Sequence, residues 1–256
     1  MMMLKFEKLD RLGIITLDKS PANSYDIHFF NEFETILNSI ETNMDIAVIL
    51  LKSNIPKFFC AGADIKVFAS NTVEENNKMV ASANKIAELI SSSAKIFVAF
   101  LNGHTLGGGL ELAAACDIRL ASNKNFLIGL PEVKLGLMPG NGGIPRLVNA
   151  IGYSYAFEMV VSGNSISSEE AFRIGLVHKL FNEESSENDA LAYVKKLSKG
   201  PKKAMSTIKK TFSLGVGKST QDFLKLETKM VETLYNTFDA KEGFQAFIEK
   251  REAKFE

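Results

Sequence analysis

The sequence predicts an α/β fold, and three observations carry that expectation. Ala47-Val48-Ile49-Leu50-Leu51 and Ile96 to Leu101 are continuous apolar runs, suited to strands buried on both faces. Between them, Val73 to Ile90 reads as a helix. A glycine run, Gly107 to Gly109, then leads straight into Leu110-Glu111-Leu112-Ala113-Ala114-Ala115, a helix-forming segment. With 256 residues, 46% of them hydrophobic and 23% charged, the chain can bury one large core, with or without an appended segment.

In chain order, Leu4 to Leu9 and Gly13 to Leu17 are short β-prone runs that predict an opening hairpin. Ser20-Pro21-Ala22-Asn23-Ser24 breaks it. From Ile27 onward, Phe29, Phe30, Phe33, Ile36, Leu37 and Ile40 recur at helical spacing. Phe58 to Lys66 crowds small residues into a turn that lets a ligand approach the backbone. Gly136-Leu137-Met138-Pro139-Gly140-Asn141-Gly142-Gly143 opens a helix through Val148, and another is expected over Tyr153 to Ser162. No Lys-Ser/Thr follows those glycines, which argues against a nucleotide P-loop. Ser167-Ser168-Glu169-Glu170 is a helix-start signal, Gly175 a stop, and Leu176 to Leu180 the expected last strand. From Glu187 the chain reads as helices only. Phe223, Leu226, Met230, Leu234 and Phe238 form an apolar stripe suited to packing on another body.

The chemistry gathers between Leu101 and Glu132. Amides at a helix start have no intrahelical acceptor, and glycines there let a developing negative oxygen come close, with the helix dipole adding attraction. Glu111 lies two residues past the last glycine, and Glu132 follows the apolar run ending at Leu130. Two carboxylates beside an anion trap point to proton transfer on a carbonyl compound.

Composition narrows the alternatives. Thirty basic and thirty acidic side chains leave no net charge to attract nucleic acid, and the pairs Lys195-Lys196, Lys202-Lys203 and Lys209-Lys210 read as solvated helix faces. Cys60 and Cys116 have no metal-ligand spacing and read as small buried residues of a reducing compartment. The position of Cys60 beside Ala61 also suggests access to thiol reagents. His28, His104 and His178 have no ligand spacing and no Gly-x-Ser-x-Gly elbow beside them, so they read as structural. The N-terminus shows neither signal nor transit pattern, and no run approaches the length of a membrane span. A cytoplasmic protein without membrane or nucleic-acid partners, and without a bound metal, is the expectation.

Taken together, Phe59-Cys60-Ala61-Gly62-Ala63-Asp64-Ile65, Asn102-Gly103 through Gly107-Gly108-Gly109 and Glu111, and Pro131-Glu132 through Pro139-Gly140-Asn141-Gly142-Gly143 resemble the enoyl-CoA hydratase/isomerase (crotonase) superfamily. The similarity extends through Ser165-Ile166-Ser167, Gly175-Leu176-Val177 and the closing Glu242-Gly243-Phe244 to Phe255. The resemblance implies a crotonase-like spiral of repeated β-β-α units over residues 1–195. A helical trimerisation segment over residues 196–256 would follow, giving a homotrimer or a hexamer of two trimers. It implies that backbone N–H groups of Ala63 and Gly108 hold the thioester oxygen, and that Ala61, Asp64, Ile65 and Lys66 lie along the coenzyme A path.

Hydratases of the family carry both glutamates, as here, so the resemblance implies hydration of a 2-enoyl-CoA to a 3-hydroxyacyl-CoA. Glu111 would activate water and Glu132 deliver the proton. No separate cofactor is implied, coenzyme A being part of the substrate. A double-bond isomerase using Glu132 alone, or a non-catalytic acyl-CoA or RNA binder, are the other readings. Three departures stand out. Ile96 and Phe100 replace proline and a small residue, implying altered packing near the acyl pocket. Asn123 to Leu130 is about one residue longer, implying a displaced Glu132. Tyr25-Asp26 is unusual, implying a reshaped coenzyme A entrance.

Overall fold

The computed structural model describes residues 2–256. The opening hairpin, β1 (Leu4–Leu9) and β2 (Leu12–Leu17), pairs antiparallel with Leu4 opposite Leu17. Helix α1 (Ile27–Thr42) follows, its first turn capped by Asp26, whose carboxylate accepts the Phe29 N–H at 2.9 Å. Its Phe29, Phe33, Leu37 and Ile40 are buried, the face the helical spacing predicted.

Three β-β-α units come next. In the first, β3 (Val48–Ser53) and β4 (Phe58–Cys60) lead through the short α2 (Ile65–Ser70) to α3 (Val73–Ser92). In the second, β5 (Ile96–Leu101) and β6 (His104–Leu106) lead to α4 (Gly108–Ala115). In the third, β7 (Ile118–Asn123) and β8 (Leu127–Gly129) lead through a 3-10 turn, Pro131–Leu135, to α5 (Gly143–Ser162). Each unit gives its first strand to one sheet and its second to another, so the chain winds as a spiral. The larger sheet runs β1-β2-β3-β5-β7-β10, parallel from β2 onward; the smaller runs β4-β6-β8-β9. Strands β9 (Ser165–Ser167) and β10 (Lys179–Asn182) flank α6 (Ser168–Arg173), and α7 (Ser186–Ser198), α8 (Lys202–Gly215), α9 (Thr220–Glu232) and α10 (Phe238–Glu249) end the chain.

The two continuous apolar runs are explained by this placement. In β3, Ile49 and Leu51 enter the core under α1 and α3, whereas Val48 and Leu50 face the opposite layer with Ala190 and Val194 of α7. In β5, Phe97 and Leu101 take the first side and Ile96, Val98 and Phe100 the second. Burial of both faces leaves no position for a polar alternation.

Four local expectations need correction. The segment Phe58 to Lys66, expected as a turn, carries a strand and the start of α2. The last strand begins at Lys179, because Leu176 and Val177 are buried in the turn before it. The two helices expected around Gly152 are both present within α5, the backbone leaving helical geometry between them at Gly152, φ 76° and ψ 165°. Ile96 and Phe100 pack on the α7 side of the sheet and do not line the central cavity described below. Lys209 is not solvated: its ammonium donates to Ile90 O at 2.8 Å and Lys95 O at 2.9 Å and pairs with Asp117 at 2.9 Å, tying α8 to the core. No helix among the described residues is long and apolar enough to cross a membrane.

Candidate active site

The site forms where the starts of α2 and α4, the 3-10 turn and the loop before α5 converge. Gly62 has φ +86°, and a Cβ there would come within 2.9 Å of Gly108 N, so only glycine lets the two segments meet. Gly108 opens α4, and its N–H is one of the first-turn amides with no intrahelical acceptor. Ala63 forms an isolated parallel bridge with Tyr25. That pairing engages Gly62 O and Asp64 N and leaves the Ala63 N–H out of it.

A cavity of about 140 Å³ lies against these amides. Ala61, Ala63, Ile65, Gly108, Glu111 and Glu132 line it, so six of the eight site residues expected from sequence come together. The other two stand beside it. Asp64 caps α2, accepting the Lys66 and Val67 N–H groups, and Lys66 is exposed on that helix.

The two carboxylates differ in setting. Glu111, 2% exposed on α4, is held through one oxygen: Oε1 accepts the Asn141 N–H at 2.7 Å and the Gly143 N–H at 2.9 Å. Burial pushes its pKa up, while these amides and the Arg146 guanidinium pull the other way. Glu132 sits in the 3-10 turn, its Oε1 close to Gly107, and its Oε2 is buried with no hydrogen-bond partner among the described residues. Burial, reinforced by the negative charge of Glu111, raises its pKa to about 7. Both carboxyls thus sit above the usual carboxylate range, Glu111 with amide donors that favour its charged form and Glu132 with none among the described residues on Oε2.

Tyr25 and Asn141 also line the cavity, and sequence reasoning gave neither a role there. Tyr25 was expected to reshape an entrance; it is instead 4% exposed at the centre. Glu132, which follows the Asn123 to Leu130 segment, lines the cavity. Cys60 and Cys116 are buried, as expected, with thiols pushed up to about 12 by burial, which contradicts ready access of Cys60 to thiol reagents. His104 accepts the Leu127 N–H through Nδ1 and packs on Phe58, and His178 accepts the Arg119 N–H. Both have structural partners.

A spiral that alternates strands between two sheets, with a cavity at the start of one inner helix, is the crotonase fold. An enoyl-CoA hydratase from Geobacillus kaustophilus superposes with TM-score 0.95 at 37% identity, over 99% of this chain and 96% of that one. The family described as enoyl-CoA hydratase/isomerase matches residues 7–256. A probable enoyl-CoA hydratase of Bacillus subtilis is 36% identical over 247 residues, 95% of each chain. A crotonyl-CoA hydratase of Syntrophomonas wolfei is 32% identical over 255 residues, 97% of this chain and 96% of its own. The chain belongs to the enoyl-CoA hydratase/isomerase family.

Proposed function

We propose that this protein hydrates a 2-enoyl-CoA to the 3-hydroxyacyl-CoA. The observation that carries the reading is the unequal pair of carboxylates, Glu111 and Glu132, lining one cavity beside Ala63 and Gly108. In the mechanism, the Ala63 and Gly108 N–H groups receive the thioester oxygen. Water attacks Cβ and gives its proton to Glu111, the π electrons moving onto that oxygen as an enolate. Collapse of the enolate takes a proton from Glu132 at Cα. The pair ends with its proton exchanged between the two carboxyls, and solvent resets it. One amide donor of this kind lowers the barrier by about 3 kcal/mol.

The electrostatics favour these roles over the reverse. An acid poised near 7 delivers a proton efficiently at neutral pH, whereas the two amides on Glu111 favour its charged, proton-accepting form. Ala61, Asp64, Ile65 and Lys66 would border coenzyme A, and the exposed Lys66 suits its phosphates. Coenzyme A enters as part of the substrate, and the reaction needs no separate cofactor.

Residues 196–256 would serve self-association as a trimer or hexamer. Phe212 on α8 and Phe244, Phe247 and Ile248 on α10 are each more than 60% exposed, which supports that reading.

Turnover of 2-enoyl against 3-enoyl thioesters of graded length, with wild type and Glu111→Gln, tests the function. Hydration of the 2-enoyl series that collapses in the variant is the expected result. Selective turnover of the 3-enoyl series, insensitive to Glu111→Gln, would make the protein an isomerase.

A further inference from the structure

Tyr25 touches three separate parts of the site. Its backbone N–H donates to Gly62 O at 2.9 Å and its carbonyl accepts the Asp64 N–H at 3.0 Å, clasping Ala63 from both sides. Its ring packs on Phe30, with centroids 4.6 Å apart, and on Phe29. Its hydroxyl lies so close to α4 that a Cβ on Gly108 would stand 1.5 Å from Oη. The same Oη accepts a hydrogen bond from Asn141 Nδ2 at 3.0 Å.

Asn141 carries the connection onward. Its backbone N–H holds Glu111 Oε1 at 2.7 Å, and its carbonyl accepts from Arg146 Nη1 at 2.7 Å. The loop that orients Glu111 is therefore gripped by Arg146 on one side and by the Tyr25 hydroxyl on the other. Burial keeps that phenol protonated throughout the working range, so the contact is a neutral hydrogen bond.

Resting on the hydration reading above, we propose that Tyr25 is a positioning residue. Through Asn141, its hydroxyl fixes the loop whose amides hold Glu111, and so couples the orientation of that carboxylate to the Ala63 and Gly108 amides. A phenylalanine ring would fill the same space without making the coupling.

Tyr25→Phe keeps the ring and the backbone clasp and removes only Oη. Loss of one neutral hydrogen bond of this kind should lower kcat on a 2-enoyl-CoA about tenfold, with KM changed less than about twofold. Loosened amides hold the ionised Glu111 less well, so the acidic limb of the pH profile should move to higher pH. Asn141→Ala should have the same effect, and Tyr25→Phe/Asn141→Ala should be no worse than either single change. Unchanged kcat and acidic limb in Tyr25→Phe, or additive effects in the double variant, would reduce Tyr25 to a space-filling residue. If Asn141→Ala does not fold, the pH profile of Tyr25→Phe decides alone. If the wild type hydrates no enoyl thioester, the functional reading falls, and a carbon-13 NMR titration of Glu111 decides the coupling separately. An upward shift in Tyr25→Phe supports it, and an identical titration overturns it.

Discussion

Glu111 Oε1 and the Gly143 backbone N–H meet at 2.9 Å, with the Asn141 N–H reaching the same oxygen at 2.7 Å. Glu132, lining the same cavity, has a buried Oε2 with no partner among the described residues. Two glutamates in one cavity thus have opposite hydrogen-bonding environments, which separates their tendencies to hold a proton.

That separation should set the pH dependence of the proposed hydration. With Glu132 acting as the acid and its pKa raised to about 7, kcat/KM for hydration should fall on an alkaline limb centred near 7. The limb should vanish from the residual activity of Glu132→Gln. A flat profile from pH 6 to 9 in the wild type would contradict the assignment.

Stability follows the same group with the opposite emphasis. Because the folded protein binds the Glu132 proton more tightly than the unfolded chain does, the fold loses stability as pH rises from about 4.5 to about 7. Glu132→Gln should therefore raise Tm at pH 8 and leave it nearly unchanged at pH 4. Thermal unfolding at the two pH values checks the sign, and an equal effect at both would refute it.

How much of this was legible in sequence depends on whether the signal was local. The anion trap at Gly107–Gly109, the two glutamates and the doubly buried strands each announce themselves in a few consecutive residues. Lys209 does not: it stands in a Lys-Lys pair that reads as solvated, and only the packing of α8 on β5 brings its ammonium to Asp117 and two carbonyls. Tyr25 stood out by residue type, but its contact with Asn141 spans 116 positions, and no local pattern encodes such a pairing. Family motifs placed the coenzyme A path at Asp64, whereas in the fold Asp64 also caps α2.

Lys209 should matter for folding more than its place among surface lysines suggests. Lys209→Met leaves Asp117 partly buried without its cation, at a cost of about 3 kcal/mol at pH 7. The loss should shrink as pH falls and Asp117 takes up a proton, which burial makes it do above the usual aspartate range, and adding Asp117→Asn should recover part of it at pH 7. Urea unfolding of the wild type and the two variants measures this. A change below about 0.5 kcal/mol, the usual size for a surface substitution, would show the pair to be dispensable.

Both cysteines should resist a thiol reagent in the native state. Their thiols are buried and held protonated, so labelling should follow local or global opening. Immediate labelling of Cys60 in native buffer would contradict the burial.

As the proton donor at Cα, Glu132 should work on the transition state more than on the bound substrate. Steady-state hydration of a 2-enoyl-CoA and thioester binding, measured side by side for wild type and Glu132→Gln, test it most directly. In the variant, kcat should fall by several orders of magnitude with binding preserved within about 1 kcal/mol. Binding and turnover lost together, or turnover retained, would contradict it.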